Sequence, residues 1–218
     1  PYAELQPYNG SFDCSRKIRV QMGWTENQKG TVWTEIVAEK IRNQARFLRE
    51  QRHDAEADLL TSYLAELCYA DETNREGHAA KVYFNALFGK GFSRGKESPV
   101  NAALNYGYGL LLSAFNREVT LNGYLPHLGL FHDNMFNPYN LSCDLMEPFR
   151  ILVDRMVVQK EVTDFGKEEK HAMLSLLHAP LRIDGQEQTV LNAVKIYTHS
   201  VFDAVNDTDP SRIRFAEV

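Results

Sequence analysis

Apolar residues return every three or four positions through TVWTEIVAEKIRNQARFLREQ, at 32, 33, 36, 37, 41, 45 and 48, and this spacing predicts an amphipathic helix over 31–51. A similar stripe in AEADLLTSYLAELCYA, 55–70, predicts a second helix folding back on the first as an antiparallel pair. Asn74 is placed to cap a helix over REGHAAKVYFNALFG, with Gly89 at its end where positive φ is favoured. KGFSRGKESP reads as a mobile connection, after which Ser98 and Pro99 open PVNAALNYGYGLLLSAFNREVTL. That helix is apolar nearly all round and is expected to cross the core. Further helices are expected from near Asp144, over KEEKHAMLSLLH, and over QTVLNAVKIYTHSVFDAV. Strand character is confined to the first 22 residues, where KIRVQM alternates. The predicted class is mainly α, with a short non-helical or β remnant at the amino terminus.

Composition narrows the class. The 218 residues, 44% hydrophobic and 11% aromatic, suffice for one substantial core. No run of 18 apolar residues is present and PYAELQPYNG lacks a signal-peptide pattern, so a cytoplasmic address without membrane contact is expected. Cys14, Cys68 and Cys143 form no CxxC pair and are expected to be buried thiols rather than disulfides or zinc ligands. The net charge of −5 speaks against nucleic acid as a whole, yet charge is segregated along the chain. Arg16 to Arg52 holds nine Lys and Arg against four Glu, and Arg75 to Lys96 holds five against one. Asp54 to Glu72 has six acids and no base. Arg42, Arg46 and Arg49, spaced four and three apart, fall on one helical face, where the ordinary solvated surface is the competing reading.

The candidate chemistry gathers in GLFHDNMFNPYNLSCDLMEPFR. Asp144 and Glu147, three apart, would face the same way on a helix, so that one cation could see both. A capping box is the bland alternative, but Pro148 predicts a distorted first turn instead. His132 sits in a turn as a surface hydrogen bonder or a ligand, and Glu76 as a first-turn glutamate or a site acid. Glu168 and His171 form a single ExxH where a di-iron bundle needs two, and KEEKH reads as a solvated face. No Walker loop, GxGxxG, GxSxG or HExxH occurs.

The run NAALNYGYGLLLSAFNREVTLNGYLPHLGLFHDNMFNPYNLSCDLMEPFR, with NREGHAAKVYFNALFG before it, resembles the universal CRISPR-associated integrase, the larger subunit of the spacer-acquisition complex. LNGYLPHLGLFH, DLMEPFR and DGQEQTVLNAVKIYTHSVFDAV look most like its type II branch, and the likeness runs from about Asn27 onward. The resemblance implies metal ligands at Glu76 in the EGxxAxxYF helix, His132 closing GLFH, and Glu147 in DLxE, with His127 outside the set. Asp144 matches a further acid of the site and Arg150 a basic position suited to a phosphate. Members carry an amino-terminal β domain, so residues 1–25 are expected to be a linker or remnant and 26–218 the α-helical catalytic domain.

Two carboxylates and an imidazole suit Mg2+ or Mn2+ with open positions better than a closed zinc site. The implied activity is that of a metal-dependent DNA endonuclease and integrase of CRISPR adaptation, a nuclease and hydrolase serving antiviral defence in a prokaryotic cytoplasm. It joins the 3′ hydroxyl of short foreign DNA into the CRISPR array by transesterification. The implied partners are double-stranded DNA with 3′ overhangs, CRISPR repeat DNA, a second copy of the chain, and the small ferredoxin-like acquisition subunit. The type II likeness adds the RNA-guided effector nuclease and a ring-forming DNA-binding protein. Arg42, Arg46, Arg49, Lys81, Arg94 and Lys96 are the candidate DNA track, with Tyr106 and Tyr108 as members of it or as packing residues. The alternative is a noncatalytic helical scaffold whose acids are caps.

Overall fold

The computed structural model describes residues 13–218. Its first helix, α1, spans Cys14–Met22, so KIRVQM coils rather than extends, against expectation. Its Ile-Arg-Val alternation fits a strand only beside a partner, and the described strands all lie at the other end of the chain. A helix satisfies its own backbone, beginning with the Asp13 carbonyl, which accepts from the Arg16 and Lys17 amides. From residue 13 the expected linker segment is thus a helix, and Gln21 and Trp24 tie it to the rest. The Gln21 amide accepts from the Leu125 N–H and donates to the Leu125 and Leu128 carbonyls. Residues 1–12 of the expected remnant lie outside the described residues.

Helix α2, Glu26–Glu50, opens with a capping box between Thr25 and Gln28. Its apolar stripe, Val32, Trp33, Ile36, Val37, Ile41, Ala45 and Leu48, is buried along its whole length. Helix α3, Asp54–Ala65, folds back on it as the pattern predicts. Helix α4, Arg75–Phe88, is capped by Asn74 and closes at Gly89 with φ of +89°. Helix α5, Pro99–Leu121, starts at the Ser98 cap with Pro99 in its first turn. It runs through the middle, burying Leu104, Leu111 and Phe115, and touches the later helices on several sides. The connection before it, expected to be mobile, is pinned: Arg94 donates to Asn101 and Asn105, and Asn101 donates to the Ser93 and Lys96 carbonyls.

Helix α6, Asn140–Met146, begins four residues earlier than the start expected near Asp144. Pro148 interrupts the path, and a 3-10 turn over Glu147–Phe149 separates α6 from α7, Arg150–Gln159. Helices α8, Lys167–Leu176, and α9, Val190–Asp207, complete the helical body. Between them β1, Pro180–Ile183, and β2, Gln186–Thr189, form a hairpin, and β3, Ala216–Glu217, pairs with the other edge of β1, all antiparallel. The hairpin turns on Asp184 and Gly185, both at positive φ, the conformation an Asp-Gly pair favours. Cys68 is exposed and Cys14 and Cys143 are half-buried, so the expected burial of the thiols does not hold; Cys68 sits in the turn after α3, outside the core. No helix among the described residues is long and apolar enough to cross a membrane.

Candidate catalytic pocket

Three distant segments converge on one cavity of about 280 Å³, lined by Glu76, His132, Glu147 and Arg150, with Lys40 between them. Each is fixed by a separate local device. Glu76 stands in the first turn of α4, where the Asp71 carboxylate accepts from the amides of Arg75 at 2.7 Å and Glu76 at 3.0 Å. These are orphan donors of a helix start, satisfied by an acid outside the helix.

His132 is delivered by a turn folded around Asp144. That carboxylate accepts from the backbone amides of Leu130 (2.6 Å), Phe131 (3.0 Å) and His132 (3.2 Å), and meets the His132 Nδ1 at 2.5 Å. Gly129 makes this approach possible, because a Cβ there would lie 2.7 Å from the Asp144 carboxylate and 2.3 Å from the His132 carbonyl oxygen. Asn140 holds the far side of the loop through the His127 and Asn134 carbonyls. Phe131 lies flat on Trp33, 4.8 Å between centroids, and the His132 ring meets Trp33 edge-on. Burial pushes the Asp144 carboxyl up, but a group accepting three amide N–H bonds is suited by geometry to its ionised form. The hydrogen bond that His132 Nδ1–H donates to Asp144 raises the His132 pKa above its ordinary value, with burial opposing. It also commits Nδ1, leaving Nε2 as the nitrogen free to act.

Asp144 and Glu147 therefore do not face one cation together, against expectation. Asp144 is fully buried behind the turn, while the 3-10 geometry imposed by Pro148 rotates Glu147 into the cavity. There Glu147 Oε1 accepts from Arg150 Nε at 2.9 Å and ion-pairs with its Nη2 at 2.9 Å, and Oε2 accepts from Lys40 Nζ at 2.5 Å. Burial works against its charge, yet Arg150 and then Lys40 overcome it and hold its pKa at about 2. Lys40 donates also to Glu76 Oε1. Burial opposes the Lys40 charge in turn, and Glu147 and Glu76 raise its pKa above the usual value regardless.

On the cavity wall, the Arg150 guanidinium lies over the Tyr108 ring at 4.6 Å and Arg94 over the same ring at 5.3 Å. The hydroxyls of Tyr83 and Tyr108 both donate to Asp154, whose burial lifts its pKa to about 6. Tyr108 is a platform within the core, and Tyr106 packs on Phe165. The remaining expected DNA contacts are scattered. Arg42, Arg46 and Arg49 are placed on the outer face of α2 and tied locally, to Glu39, to Asn43 and the Val218 carbonyl, and to Asp58. Lys81 and Lys96 are exposed, and Arg94 lines the cavity. Glu168 and His171 are exposed on α8, the solvated face their spacing suggests.

A divalent ion would need its donors drawn together, and among the described residues no three His, Cys, Asp or Glu side chains stand close enough to hold one. The Lys40 ammonium lies between the Glu76 and Glu147 carboxylates. The chemistry fits nonetheless: two carboxylates already gathered around a positive charge, and an imidazole oriented through Nδ1 by a carboxylate as metal-binding histidines usually are. Sequence reasoning missed Lys40, Asp71, Tyr83 and Asp154, whose roles depend on partners in other segments of the chain.

The family model described as CRISPR associated protein Cas1 matches residues 2–177. A CRISPR-associated endonuclease Cas1 of Neisseria meningitidis serogroup C (strain 8013) is 35% identical, covering 100% of this chain and 73% of that protein. The next curated relatives align over at most 59% of this chain and under half of their own length. Among solved structures, a partial Cas6-RT-Cas1–Cas2 complex superposes with a TM-score of 0.79 at 15% identity, over 98% of this chain and 77% of that one. A casposase bound to an integration product gives 0.70 at 16% identity, over 90% and 70%. Identities this low show a shared fold.

Proposed function

The chain belongs to the CRISPR associated protein Cas1 family, and from that membership we propose that it is a nuclease and integrase of CRISPR adaptation. In this reading it joins DNA 3′ hydroxyls to a phosphodiester of the CRISPR array with a divalent metal ion. The observation that carries the proposal is the convergence of Glu76, His132 and Glu147, from three separate segments, on one cavity that also holds Arg150. Glu76, Glu147 and the Nε2 of His132 are the groups that would hold Mg2+ or Mn2+. Bound there, the ion supplies charge neutralisation at a phosphate oxygen during an in-line displacement.

The chain's own residues do the rest by position. Asp144 fixes the tautomer and direction of His132. Arg150, held by Glu147 through Nε and Nη2 and backed by Tyr108, keeps Nη1 for a phosphate oxygen. The nucleophile is the hydroxyl of the DNA, so no side chain need form a covalent intermediate. Proposed partners are DNA with 3′ overhangs, a second copy of the chain and the small acquisition subunit, in line with the Cas1–Cas2 complex whose structure shares the fold. The type II effector nuclease and ring-forming DNA-binding protein remain part of the proposal through the sequence resemblance.

A second reading has its own support: the Lys40, Glu76, Glu147 and Arg150 ion network could serve a noncatalytic scaffold as it stands. Strand transfer into a supercoiled CRISPR plasmid, measured with Mn2+ and with chelator, separates the two. The proposal expects Glu76→Ala, His132→Ala and Glu147→Gln each to lower transfer at least ~100-fold while duplex binding persists, the scale of losing a group that acts in the transition state. Metal-independent transfer, or variants as active as the parent, would sink it.

A further inference from the structure

Lys40 stands at the centre of the cavity's ion pairs, and the proposed chemistry has not used it. It is 7% exposed, and its ammonium is held between two carboxylates, at 2.5 Å from Glu147 and in contact with Glu76. Charges within this network already balance, Glu76 and Glu147 against Lys40 and Arg150. A dication placed beside an unmoved Lys40 would leave two uncompensated positive charges in a partly buried space, which is costly. Arg150 cannot yield easily, because Glu147 and the Tyr108 ring hold it. Lys40 stands on a flexible four-carbon stem with rotatable donors, and Asp154, within the same cavity, is close enough to feel its charge.

We propose that Lys40 is an internal counterion that occupies the charge position between Glu76 and Glu147 and must leave it before a divalent ion can bind. The proposal rests on the reading that these carboxylates are metal ligands. It assigns Lys40 two effects of opposite sign. The ammonium keeps two carboxylates assembled while no metal is bound, and it competes with the metal for them. Lys40 is in this sense a positioning residue.

The test is calorimetric titration of Mn2+ into the intact chain without DNA, alongside thermal unfolding with and without Mn2+. Lys40→Met and Lys40→Gln should bind Mn2+ about tenfold more tightly than the parent, since a competing unit charge a few ångströms away is gone. Lys40→Arg keeps the charge and should stay near the parent. Mere structural damage would weaken metal binding, so a gain is diagnostic. Lys40→Met and Lys40→Gln chains that unfold without metal but fold with Mn2+ also support the proposal. Variants that bind Mn2+ no better than the parent, or that fail to fold in either condition, overturn it. Glu147→Gln distinguishes the underlying reading: if this variant and the parent bind Mn2+ equally, the carboxylates are not ligands and both ideas fall. If Glu147→Gln loses binding while Lys40→Met and Lys40→Gln match the parent, only the role of Lys40 is lost.

Discussion

One helix carries positive charge of two kinds. On the inner side of α2, Lys40 is buried and bridges two acids that lie 36 and 107 residues away in sequence. On the outer side, the Arg42, Arg46 and Arg49 head groups pair within a turn, with the adjacent helix or with the Val218 carbonyl. Their sequence signal runs the opposite way, since three arginines at helical spacing are conspicuous and a lone lysine between Glu39 and Ile41 is not. What separates them is burial. A charge withdrawn from water commits its partners, whereas an exposed pair is screened and weakly coupled.

Removing a partner on each side puts that contrast to its hardest test. Glu147→Ala leaves Arg150 without its acid and Lys40 with half of its own, and should cost about 3 kcal/mol of folding stability, as breaking a buried pair does. Asp58→Ala, which removes only an exposed partner of the Arg49 head group, should cost under about 0.5 kcal/mol. Urea unfolding of both variants decides; equal losses would mean the buried network is no more coupled than the surface. Gly129→Ala belongs with the first group, because its methyl would push the Asp144 carboxylate off the His132 turn. A loss of about 2 kcal/mol is expected, together with loss of Mn2+ binding.

A second buried acid tests the same idea through pH. Burial raises the pKa of Asp154 from 3.8 in the unfolded chain to about 6 in the folded one. Between those values the folded protein holds a proton that the unfolded chain releases, so this residue's contribution to stability falls as pH rises from about 4 through 6. Asn at this position cannot ionise. Asp154→Asn should therefore gain on the parent by on the order of 2 kcal/mol as pH rises from about 4 to about 7, read as the difference in denaturation midpoints. A pH-independent difference would show that Asp154 is not held protonated by its surroundings.

How far the chain could be read follows from the range of each interaction. The α2 stripe, the Asn74 and Ser98 caps and the positive φ of Gly89 are local, and the structure has them where the pattern puts them. The hairpin escapes the pattern reading: Asp184-Gly185 is a turn signal between two short runs, but neither run alternates clearly enough to mark a strand. KIRVQM misled because six residues cannot distinguish a two-residue period from a helical one when no partner strand is known. Asp144 looked like a companion of Glu147 through their spacing, whereas Pro148 changes the angle between them and Asp144 turns to amides twelve to fourteen residues back. Lys40 and Asp154 carry no local signature at all, because their meaning lies in residues from other segments.

The smallest expected effect concerns the outer face, and it sharpens the comparison most finely. If Arg42 and Arg46 contact DNA phosphates, Arg42→Glu and Arg46→Glu together should lower the slope of log affinity against log salt by about two units, about one per lost contact. Folding stability should shift by less than about 1 kcal/mol, because both arginine side chains are exposed. Strand transfer on saturating DNA should stay near the parent rate, since neither side chain lines the cavity. Fluorescence anisotropy of a labelled duplex across a salt series is the direct measurement. A slope unchanged by the double reversal would remove this face from the DNA path, leaving its arginines as the solvated surface that their local pairing already satisfies.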